Sequence, residues 1–261
     1  MTSVKTNTVT RVIKLGGRVQ QDAALPQALR AYINAAGGNV VVVHGGGDEV
    51  TALQRRLGYE PRFVGGRRVT TPDDLEVVRM VLSGTANKRL VAALSNGGIR
   101  AVGISGEDGG LLQAFVADGA PLGHVGERIE VASSILRDLL ARRWVPVVSP
   151  LARDADDPAS GLNVNGDDAS AAIAVALRAD ELLFVADVPG VIVGNLIRPV
   201  LGEDEARTLV DQGLAHGGMS AKLTAGFAAL AGGVARVRIG DVASLTDAGR
   251  GTLLGAHAEV L

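Results

Sequence analysis

Residues 40–47 read Val-Val-Val-Val-His-Gly-Gly-Gly, and this stretch decides the fold. Four consecutive valines without polar alternation are typical of a strand that is buried on both faces, as in a parallel sheet. The glycines end the strand in a tight turn, and residues 48–57 then predict a helix. Residues 12–17 and 23–36 show the same order of strand, glycine turn and helix. Two such units in succession predict an α/β fold with right-handed crossovers.

The rest of the chain continues this alternation, with several excursions. Further strands are predicted at 101–105, 144–149, 181–186 and 235–239. Helices are predicted at 71–96, 134–142, 166–178, 202–212 and 218–233. The excursions are a hairpin at 59–69, short antiparallel strands over one edge of the sheet at 111–131, and a polar loop at 153–161. We place a boundary between two lobes near Arg178.

The composition excludes several classes of protein. Of the 261 residues, 47% are apolar and 3% are aromatic, so the core consists mainly of Val, Ala and Leu. The formal net charge of −2 and the scattered basic residues argue against nucleic-acid binding. The absence of cysteine excludes disulfides and thiolate chemistry. The sequence shows neither a signal core nor a membrane-length apolar run, so we expect no membrane attachment and a cytoplasmic location.

Four motifs share one chemistry: Lys14-Leu15-Gly16-Gly17, His44-Gly45-Gly46-Gly47, Asn163-Val164-Asn165-Gly166-Asp167 and Gly217-Gly218-Met219-Ser220-Ala221-Lys222. The first two are glycine turns that offer backbone N–H groups to an anion. Lys14 ends a buried strand, where a lysine without an anion is costly, and Lys222 lies in the first turn of a helix, where it opposes the helix dipole. Asp167 lies between the two lysines in the chain, where it could hold both in place or assist a magnesium ion. This set predicts a phosphotransferase that acts on a small molecule.

Each motif also has a plainer explanation. The glycines alone would equally form an ordinary tight turn, and residues 163–167 supply side chains that are common helix caps. Lys222 is also explained by an exposed lysine that reaches water. Arg67 and Arg68 follow a glycine bend, where an arginine fork suits a carboxylate and a solvated pair is the alternative.

Taken together, the motifs resemble those of the amino acid kinase family, and most of all its acetylglutamate branch. The resemblance runs from Val12 to about Leu254. Beyond the four motifs, it includes Arg68-Val69-Thr70, Gly84-Thr85-Ala86-Asn87-Lys88, Gly123-His124-Val125-Gly126 and Asp187-Val188-Pro189-Gly190, with residues 101–106 and 146–150. The family implies a three-layer α/β sandwich with an open, mostly parallel central sheet of about eight strands.

The resemblance also implies a division of labour and a reaction. Residues 1–178 would form the lobe that binds the amino-acid substrate and makes the dimer contacts, and residues 179–261 would form the lobe that binds ATP. The implied reaction transfers a phosphoryl group from ATP to the side-chain carboxylate of N-acetyl-L-glutamate, which gives an acyl phosphate and ADP. Mg²⁺ would accompany ATP and be held mainly by the nucleotide phosphates, so we expect no metal site made of protein side chains.

The family's functional residues map onto this sequence one by one. Lys14 and Lys222 would stabilise charge on the phosphoryl group in transfer, and Asp167 would orient both lysines. On the substrate side, the resemblance implies roles for Gly45, Gly46, Arg68 and Asn163. On the nucleotide side, it implies roles for Gly16, Gly17, Asp187, Val188, Pro189, Gly190, Val191, Ile192, Leu214, Ala215 and His216. A carboxylate is already deprotonated at pH 7, so alignment and charge stabilisation suffice without a general base.

Expectations about assembly follow from the same resemblance. Relatives that arginine inhibits carry an extra N-terminal helix that joins dimers into hexamers, whereas only about ten residues precede the first strand here. We therefore expect a homodimer that arginine does not inhibit. Some relatives bind a PII-type regulatory protein, and the sequence does not decide this partner.

Other activities stay open at this point. A kinase of lysine biosynthesis, whose aminoadipate substrate is carried on a small acidic protein, would use Arg62, Arg67 and Arg68 as a basic rim for the carrier. Carbamate kinase, glutamate 5-kinase and uridylate kinase fit the motifs at 123–126 and 163–167 less well. A non-catalytic regulator on the same scaffold would not need the charged positions that are intact here.

Overall fold

A computed structural model describes residues 9–37, 39–118 and 121–255 of the chain. Its strands are β1 (Arg11–Leu15), β2 (Val40–His44), β3 (Phe63–Val64), β4 (Arg67–Arg68), β5 (Ala101–Ser105), β6 (Leu112–Val116), β7 (Val125–Val131), β8 (Val145–Ser149), β9 (Leu151–Asp154), β10 (Gly161–Val164), β11 (Glu181–Val185), β12 (Ile192–Val193), β13 (Leu196–Ile197), β14 (Val200–Leu201), β15 (Arg236–Gly240) and β16 (Thr252–Leu254). Its α-helices are α1 (Leu25–Ala35), α2 (Gly47–Arg56), α3 (Pro72–Arg79), α4 (Asn87–Asn96), α5 (Ser134–Ala141), α6 (Gly166–Leu177), α7 (Glu203–Asp211) and α8 (Gly218–Ala231). Across the described ranges, no helix combines the length and hydrophobicity that crossing a bilayer requires.

The central layer is an eight-stranded sheet in the order β14-β16-β15-β11-β1-β2-β8-β5. Neighbouring strands run parallel, except that β15 and β16 are antiparallel. Helices cover both faces of this sheet. The predicted α/β sandwich with an open, mostly parallel sheet of about eight strands is therefore confirmed.

Alternation along the central strands sorts their side chains between the two faces. Val12 belongs to a buried cluster that includes Ile173 of α6 and Leu223 of α8. Ile13, one residue later, belongs to the cluster on the opposite face, which includes Leu29 of α1. Successive side chains of a strand point to opposite faces, so an uninterrupted apolar run fills two cores at once.

A small closed barrel of β6, β7, β9 and β10 lies beside the sheet. The predicted antiparallel pairing within 111–131 is present between β6 and β7, but β6 pairs in parallel with β9, and β7 with β10. The predicted polar loop at 153–161 is wrong at both ends, because β9 extends to Asp154 and β10 begins at Gly161. Leu151 and Ala152 are fully buried in the barrel, and this burial holds the two polar residues that follow in strand conformation.

The predicted helix at 71–96 is present and contains a π-helical segment, Met80–Ala86, between α3 and α4. It begins with a capping box: the Thr71 hydroxyl oxygen accepts from the Asp74 N–H at 3.2 Å, and an Asp74 carboxylate oxygen accepts from the Thr71 N–H at 2.9 Å. A π-helical turn widens the helix locally and is frequent at functional sites. Here it brings Leu82 against the second glycine turn, since a Cβ at Gly46 would lie 2.7 Å from Leu82 Cδ2.

Two strands near the C-terminal edge, β14 and β16, were not predicted. They span two and three residues, too few to show a hydrophobic period. Arg178 ends α6 in a left-handed conformation (φ 52°), and the sheet continues across this proposed lobe boundary because β1 pairs with β11. Residues 1–8, on which the expectation about arginine inhibition partly rests, lie outside the described residues.

Candidate active site

The site begins with the position of Lys14 in β1. Because strand side chains alternate, Lys14 shares the face of Val12, which α6 and α8 cover. Asp167 lies in the first turn of α6, and Lys222 lies one turn into α8. The three side chains therefore meet where β1 ends, at the carboxyl edge of a parallel sheet, where ligands bind in open α/β folds.

We call Lys14, Asp167 and Lys222 the lysine cluster. Lys14 Nζ lies 2.8 Å from Asp167 Oδ1, and Lys222 Nζ lies 3.4 Å from Asp167 Oδ2. Lys222 Nζ also donates to the Gly218 carbonyl at 3.2 Å. All three side chains are buried, and their charges sum to one positive charge. The predicted contact of one aspartate with both lysines is present.

Burial dominates the electrostatics of this cluster. It lowers the pKa of Lys222, and the positive charge of Lys14 lowers it further, whereas Asp167 opposes both effects. Burial raises the pKa of the neighbouring Asp168 carboxyl, and the charge of Asp167 adds to that rise. An anion between the two lysines would favour the charged form of Lys222.

The two glycine turns lie in direct contact. A Cβ at Gly17 would lie 3.4 Å from both the N and the Cα of Gly46, so the two turns pack at van der Waals distance. Gly16 N–H donates to Val185 O at 2.9 Å, and Gly45 N–H donates to Leu15 O at 2.9 Å. These two bonds extend the strand ladders, so neither N–H is directed at a ligand.

The remaining N–H groups of the turns have no such bonds. Within the described residues, nothing accepts a hydrogen bond from the N–H of Gly17, Gly46 or Gly47. Gly46 and Gly47 also stand at the start of α2, where the helix dipole places partial positive charge. The turns thus offer a concentrated set of donors to an anion beside the lysine cluster.

Two cavities meet at the lysine cluster. The first, of about 410 Å³, is lined by Gly16, Gly17, Asp187 and Val188 among others, and we call it the nucleotide cavity. The second, of about 310 Å³, is lined by Gly45, Gly46, Arg68 and Asn163 among others, and we call it the acceptor cavity. Both cavities are also lined by Lys14, Gly47, Gly218 and Lys222. Two ligands in these cavities would therefore meet at the lysines.

Arg68 is buried in the wall of the acceptor cavity. Its guanidinium donates to Gln54 Oε1, to the Gly47 carbonyl at 2.9 Å and to Thr51 Oγ1 at 2.8 Å, and all three acceptors are neutral. Burial lowers the pKa of Arg68, and the charges of Asp74 and Asp48 counter this only in part. A carboxylate in the cavity would supply the negative charge that these neutral partners do not.

Asn163 faces the same cavity from β10. Its amide Nδ2 donates to Thr70 Oγ1 at 3.3 Å, and the Thr70 hydroxyl in turn donates to the Arg68 carbonyl at 2.9 Å. Arg67, which precedes Arg68 in the chain, pairs with Glu127 at 2.8 Å, so it is not a free member of a basic rim.

The predicted nucleotide residues separate into two groups. Asp187 and Val188 line the nucleotide cavity with Gly16 and Gly17. Pro189, Gly190, Val191, Ile192, Leu214, Ala215 and His216 are absent from its lining. Of these, Val191 and Ala215 are buried in the core, whereas Ile192 and Leu214 are exposed. Their roles stay a prediction.

Several residues of the site were missed by sequence reasoning. Gln54 and Thr51, which hold Arg68, lie on α2 and carry no motif signal beyond following the second glycine turn. Arg18 lines the nucleotide cavity and bridges Asp48 at 3.1 Å and Asp187 at 3.4 Å. Its position directly after Gly17 was the available signal.

Comparisons with known proteins identify the chain's relatives. The model of the amino acid kinase family matches residues 9–241. An acetylglutamate kinase from Chloroflexus aurantiacus is 41% identical over 244 residues, covering 93% of this chain and 96% of the relative. One from Geobacillus sp. is 41% identical over 232 residues, covering 88% and 89%. A crystal structure from Streptococcus mutans UA159 superimposes with a TM-score of 0.85 and 26% identity, covering 95% of this chain and 99% of that one.

Proposed function

The chain belongs to the amino acid kinase family, and we propose that it transfers a phosphoryl group from ATP to the side-chain carboxylate of N-acetyl-L-glutamate. One observation carries this proposal: two buried lysines share one aspartate at the junction of two cavities. Relatives about 40% identical over most of the chain are acetylglutamate kinases, which supports the same acceptor. The product would be an acyl phosphate, an intermediate suited to arginine biosynthesis.

The acceptor would bind in the acceptor cavity. We assign its α-carboxylate to Arg68, whose guanidinium is already oriented by Gln54, Gly47 and Thr51. Asn163 would hold the same end of the substrate from the facing strand β10. The side-chain carboxylate would then point toward Lys14 and Lys222, which line the same cavity. It is ionised at pH 7, so it can attack without a general base.

The lysine cluster would stabilise the phosphoryl group during its transfer. Negative charge on its oxygens is best stabilised by donors that are fixed before the reaction. Lys14 and Lys222 supply two such charges, and Asp167 holds both ammonium groups in place. The N–H groups of Gly17 and Gly46 add uncharged donors from the two turns. The chain's part in catalysis is therefore alignment and charge stabilisation.

ATP would bind in the nucleotide cavity, with its phosphates near Gly17 and its base toward the segments at 187–192 and 214–216. We propose that Mg²⁺ accompanies it, held mainly by the phosphates. Residues 1–178 would then carry acceptor binding and dimer contacts, and residues 179–261 would carry nucleotide binding.

We further propose that the enzyme works as a homodimer in the cytoplasm, where ATP is abundant. Large apolar side chains on the first lobe, among them Leu57, Phe63 and Met80, are more than half exposed and would suit a dimer interface. Sedimentation equilibrium should give the mass of two chains. A monomeric mass would contradict this part of the proposal.

The experiment that tests the function is ATP-dependent acyl phosphate formation, trapped as the hydroxamate. N-acetyl-L-glutamate, N-acetyl-L-aminoadipate and free L-glutamate are compared side by side. We expect strong turnover with the first alone. If folded protein that still binds ATP forms no acyl phosphate with any of the three, a carrier-bound acceptor or a regulatory role would be favoured instead.

A further inference from the structure

His44 ends β2 and is fully buried, yet the proposed reaction needs no acid or base. Its ring Nδ1 lies 2.9 Å from the carbonyl oxygen of Gly45, and its Nε2 lies 3.2 Å from Asn87 Nδ2. Both ring nitrogens therefore have a partner. The direction of each hydrogen bond depends on which nitrogen carries the proton.

The neighbours of Asn87 fix its orientation. Its Nδ2 lies 2.9 Å from the Val147 carbonyl, which can only accept, so a nitrogen must stand there. Its Oδ1 lies 3.2 Å from Lys88 Nζ, which can only donate, so an oxygen must stand there. Gly103 leaves room for this arrangement, because a Cβ at that position would collide with Asn87 Oδ1.

The tautomer of His44 follows from that orientation. The second hydrogen of Asn87 Nδ2 donates to His44 Nε2, so Nε2 is an acceptor and the proton is on Nδ1. Nδ1–H then donates to the Gly45 carbonyl. Burial also lowers the pKa of His44 to about 4; Glu49 and the Gly45 carbonyl raise it, and Arg89 and Lys14 lower it. The imidazole is therefore neutral at pH 7, with one defined donor.

The Gly45 carbonyl receives a second hydrogen bond from the short 3₁₀ segment, Arg18–Gln21, that follows the first glycine turn. Gln20, which follows Gly17 closely in the chain, donates from Nε2 to the same oxygen at 2.8 Å. The Gln20 Oε1 atom is buried without a hydrogen-bond partner among the described residues, so within them the Gly45 carbonyl is the one hydrogen-bond partner of this side chain. Two donors thus hold one carbonyl from two directions.

A peptide unit is planar and trans, so fixing its C=O also fixes its N–H, which points the opposite way. The N–H on the other side of the Gly45 carbonyl belongs to Gly46, which lines the acceptor cavity. We propose that His44, with its tautomer set by Asn87 and with help from Gln20, is a positioning residue that aims the Gly46 N–H at the phosphoryl group in transfer. This inference rests on the proposed phosphoryl transfer and adds residues to it.

The test compares two substitutions of His44 that separate its two nitrogens. His44→Asn places an amide nitrogen near the position of Nδ1 and keeps the donor to Gly45. His44→Gln places its amide near Nε2, keeps the contact with Asn87 and loses that donor. We expect His44→Gln to lower kcat about tenfold, as expected for one misdirected hydrogen bond, and His44→Asn to lower it less than threefold. The KM values for ATP and acceptor should change little in both.

A second readout does not depend on the acceptor. The complex of Mg–ADP with aluminium fluoride mimics the phosphoryl group, and its affinity is compared with that of Mg–ADP alone. His44→Gln should weaken the first about fivefold or more and leave the second unchanged, because one donor to the mimic is misdirected. This contrast would persist if N-acetyl-L-glutamate were the wrong acceptor, so the two proposals can fail separately. Equal values for the two variants would overturn the positioning role.

If neither His44 variant folds, Gln20→Leu tests whether fixing the Gly45 carbonyl contributes to catalysis. It removes a donor to the Gly45 carbonyl and also removes a buried oxygen that has no partner. We expect kcat to fall about threefold while the melting temperature stays constant or rises, which a merely structural role would not produce. An unchanged kcat in this variant would overturn the proposal.

Discussion

Two buried charge clusters, at opposite ends of the parallel strands, are built in contrasting ways. The lysine cluster lies where β1 ends and combines two cations with one carboxylate. The other, which we call the glutamate cluster, consists of the buried residues Glu181, Arg238 and Tyr32 where β11 begins. Arg11 and Arg236, 3.6 and 3.9 Å from the same carboxylate, are partly exposed to solvent and lie at its edge. One cluster would gain from an added anion, and the other is complete without one.

The glutamate cluster satisfies its own charges. Glu181 accepts from Tyr32 Oη and from Arg238 Nε, each at 2.7 Å. Arg238 also donates to carbonyls of the loop that leads to β16, including Ser244 at 3.3 Å. Burial pushes the pKa of Glu181 upward, but the bond from Tyr32 and the charge of Arg238 outweigh this and lower it overall. Each charge here has a close partner that the fold itself provides.

The difference shows what separates a structural ion pair from a functional one. Both clusters are buried, so burial alone does not identify the site. Charge balance identifies the site, because a surplus buried cation raises the free energy of the folded protein unless a ligand compensates its charge. The two clusters should therefore respond in opposite ways to loss of a cation.

The largest expected effect is on stability, in the glutamate cluster. Arg238→Met leaves Glu181 buried with weaker partners, and the free energy of unfolding should fall by about 3 kcal/mol. Arg236→Met is the matched control, because Arg236 is half exposed and lies 3.9 Å from the same carboxylate. It should cost less than about 1 kcal/mol in urea unfolding. A loss for Arg238→Met no larger than that of the control would break the comparison.

The next effect is on catalysis, in the lysine cluster. Lys222→Met should lower kcat roughly 100-fold, because a fixed charge that stabilises the transferring phosphoryl group is gone. Its stability should be unchanged or higher, since burial and Lys14 both disfavour the ammonium form of Lys222. Steady-state kinetics and urea unfolding of the same preparation measure both. A kcat within tenfold of the unaltered enzyme would remove Lys222 from the mechanism.

A smaller effect is expected in the wall of the acceptor cavity. Arg68→Lys replaces a fork held by three neutral acceptors with a single ammonium, and KM for N-acetyl-L-glutamate should rise about tenfold with a smaller change in kcat. Arg62→Lys, on an exposed neighbour of the hairpin, serves as the control. An equal rise in KM for both variants would argue against Arg68 as the carboxylate ligand. It would favour the alternative in which Arg62, Arg67 and Arg68 form a basic rim for a carrier.

The smallest expected effect is on stability, again in the glutamate cluster. Tyr32→Phe removes only the hydroxyl that donates to Glu181, and the free energy of unfolding should fall by about 1.5 kcal/mol. kcat should not change, because Tyr32 lies on α1, which packs on the face of the sheet opposite the lysine cluster. Reduced kcat at unchanged stability would show that the two clusters are coupled.

The sequence predicted the lysine cluster but not the glutamate cluster. Lys14 and Lys222 are conspicuous because each stands beside glycines at the end of a strand or the start of a helix. Glu181 and Arg238 look like ordinary polar residues of strands, and the partner hydroxyl of Glu181 comes from Tyr32, 149 positions away. β9 was missed for a similar reason, since barrel closure and not local pattern makes it a strand. Long-range pairing is what a single sequence does not display.

The most direct test of the central contrast is ligand-linked stability. Urea unfolding is measured with and without Mg–ADP, aluminium fluoride and N-acetyl-L-glutamate, for the unaltered enzyme, Lys222→Met and Arg236→Met. Binding to the folded state stabilises it in proportion to RT ln(1 + [L]/Kd). We predict a large ligand-induced gain in the unaltered enzyme and in Arg236→Met, and most of that gain lost in Lys222→Met. An equal gain in all three would contradict the claim that the lysine cluster is built for an added anion.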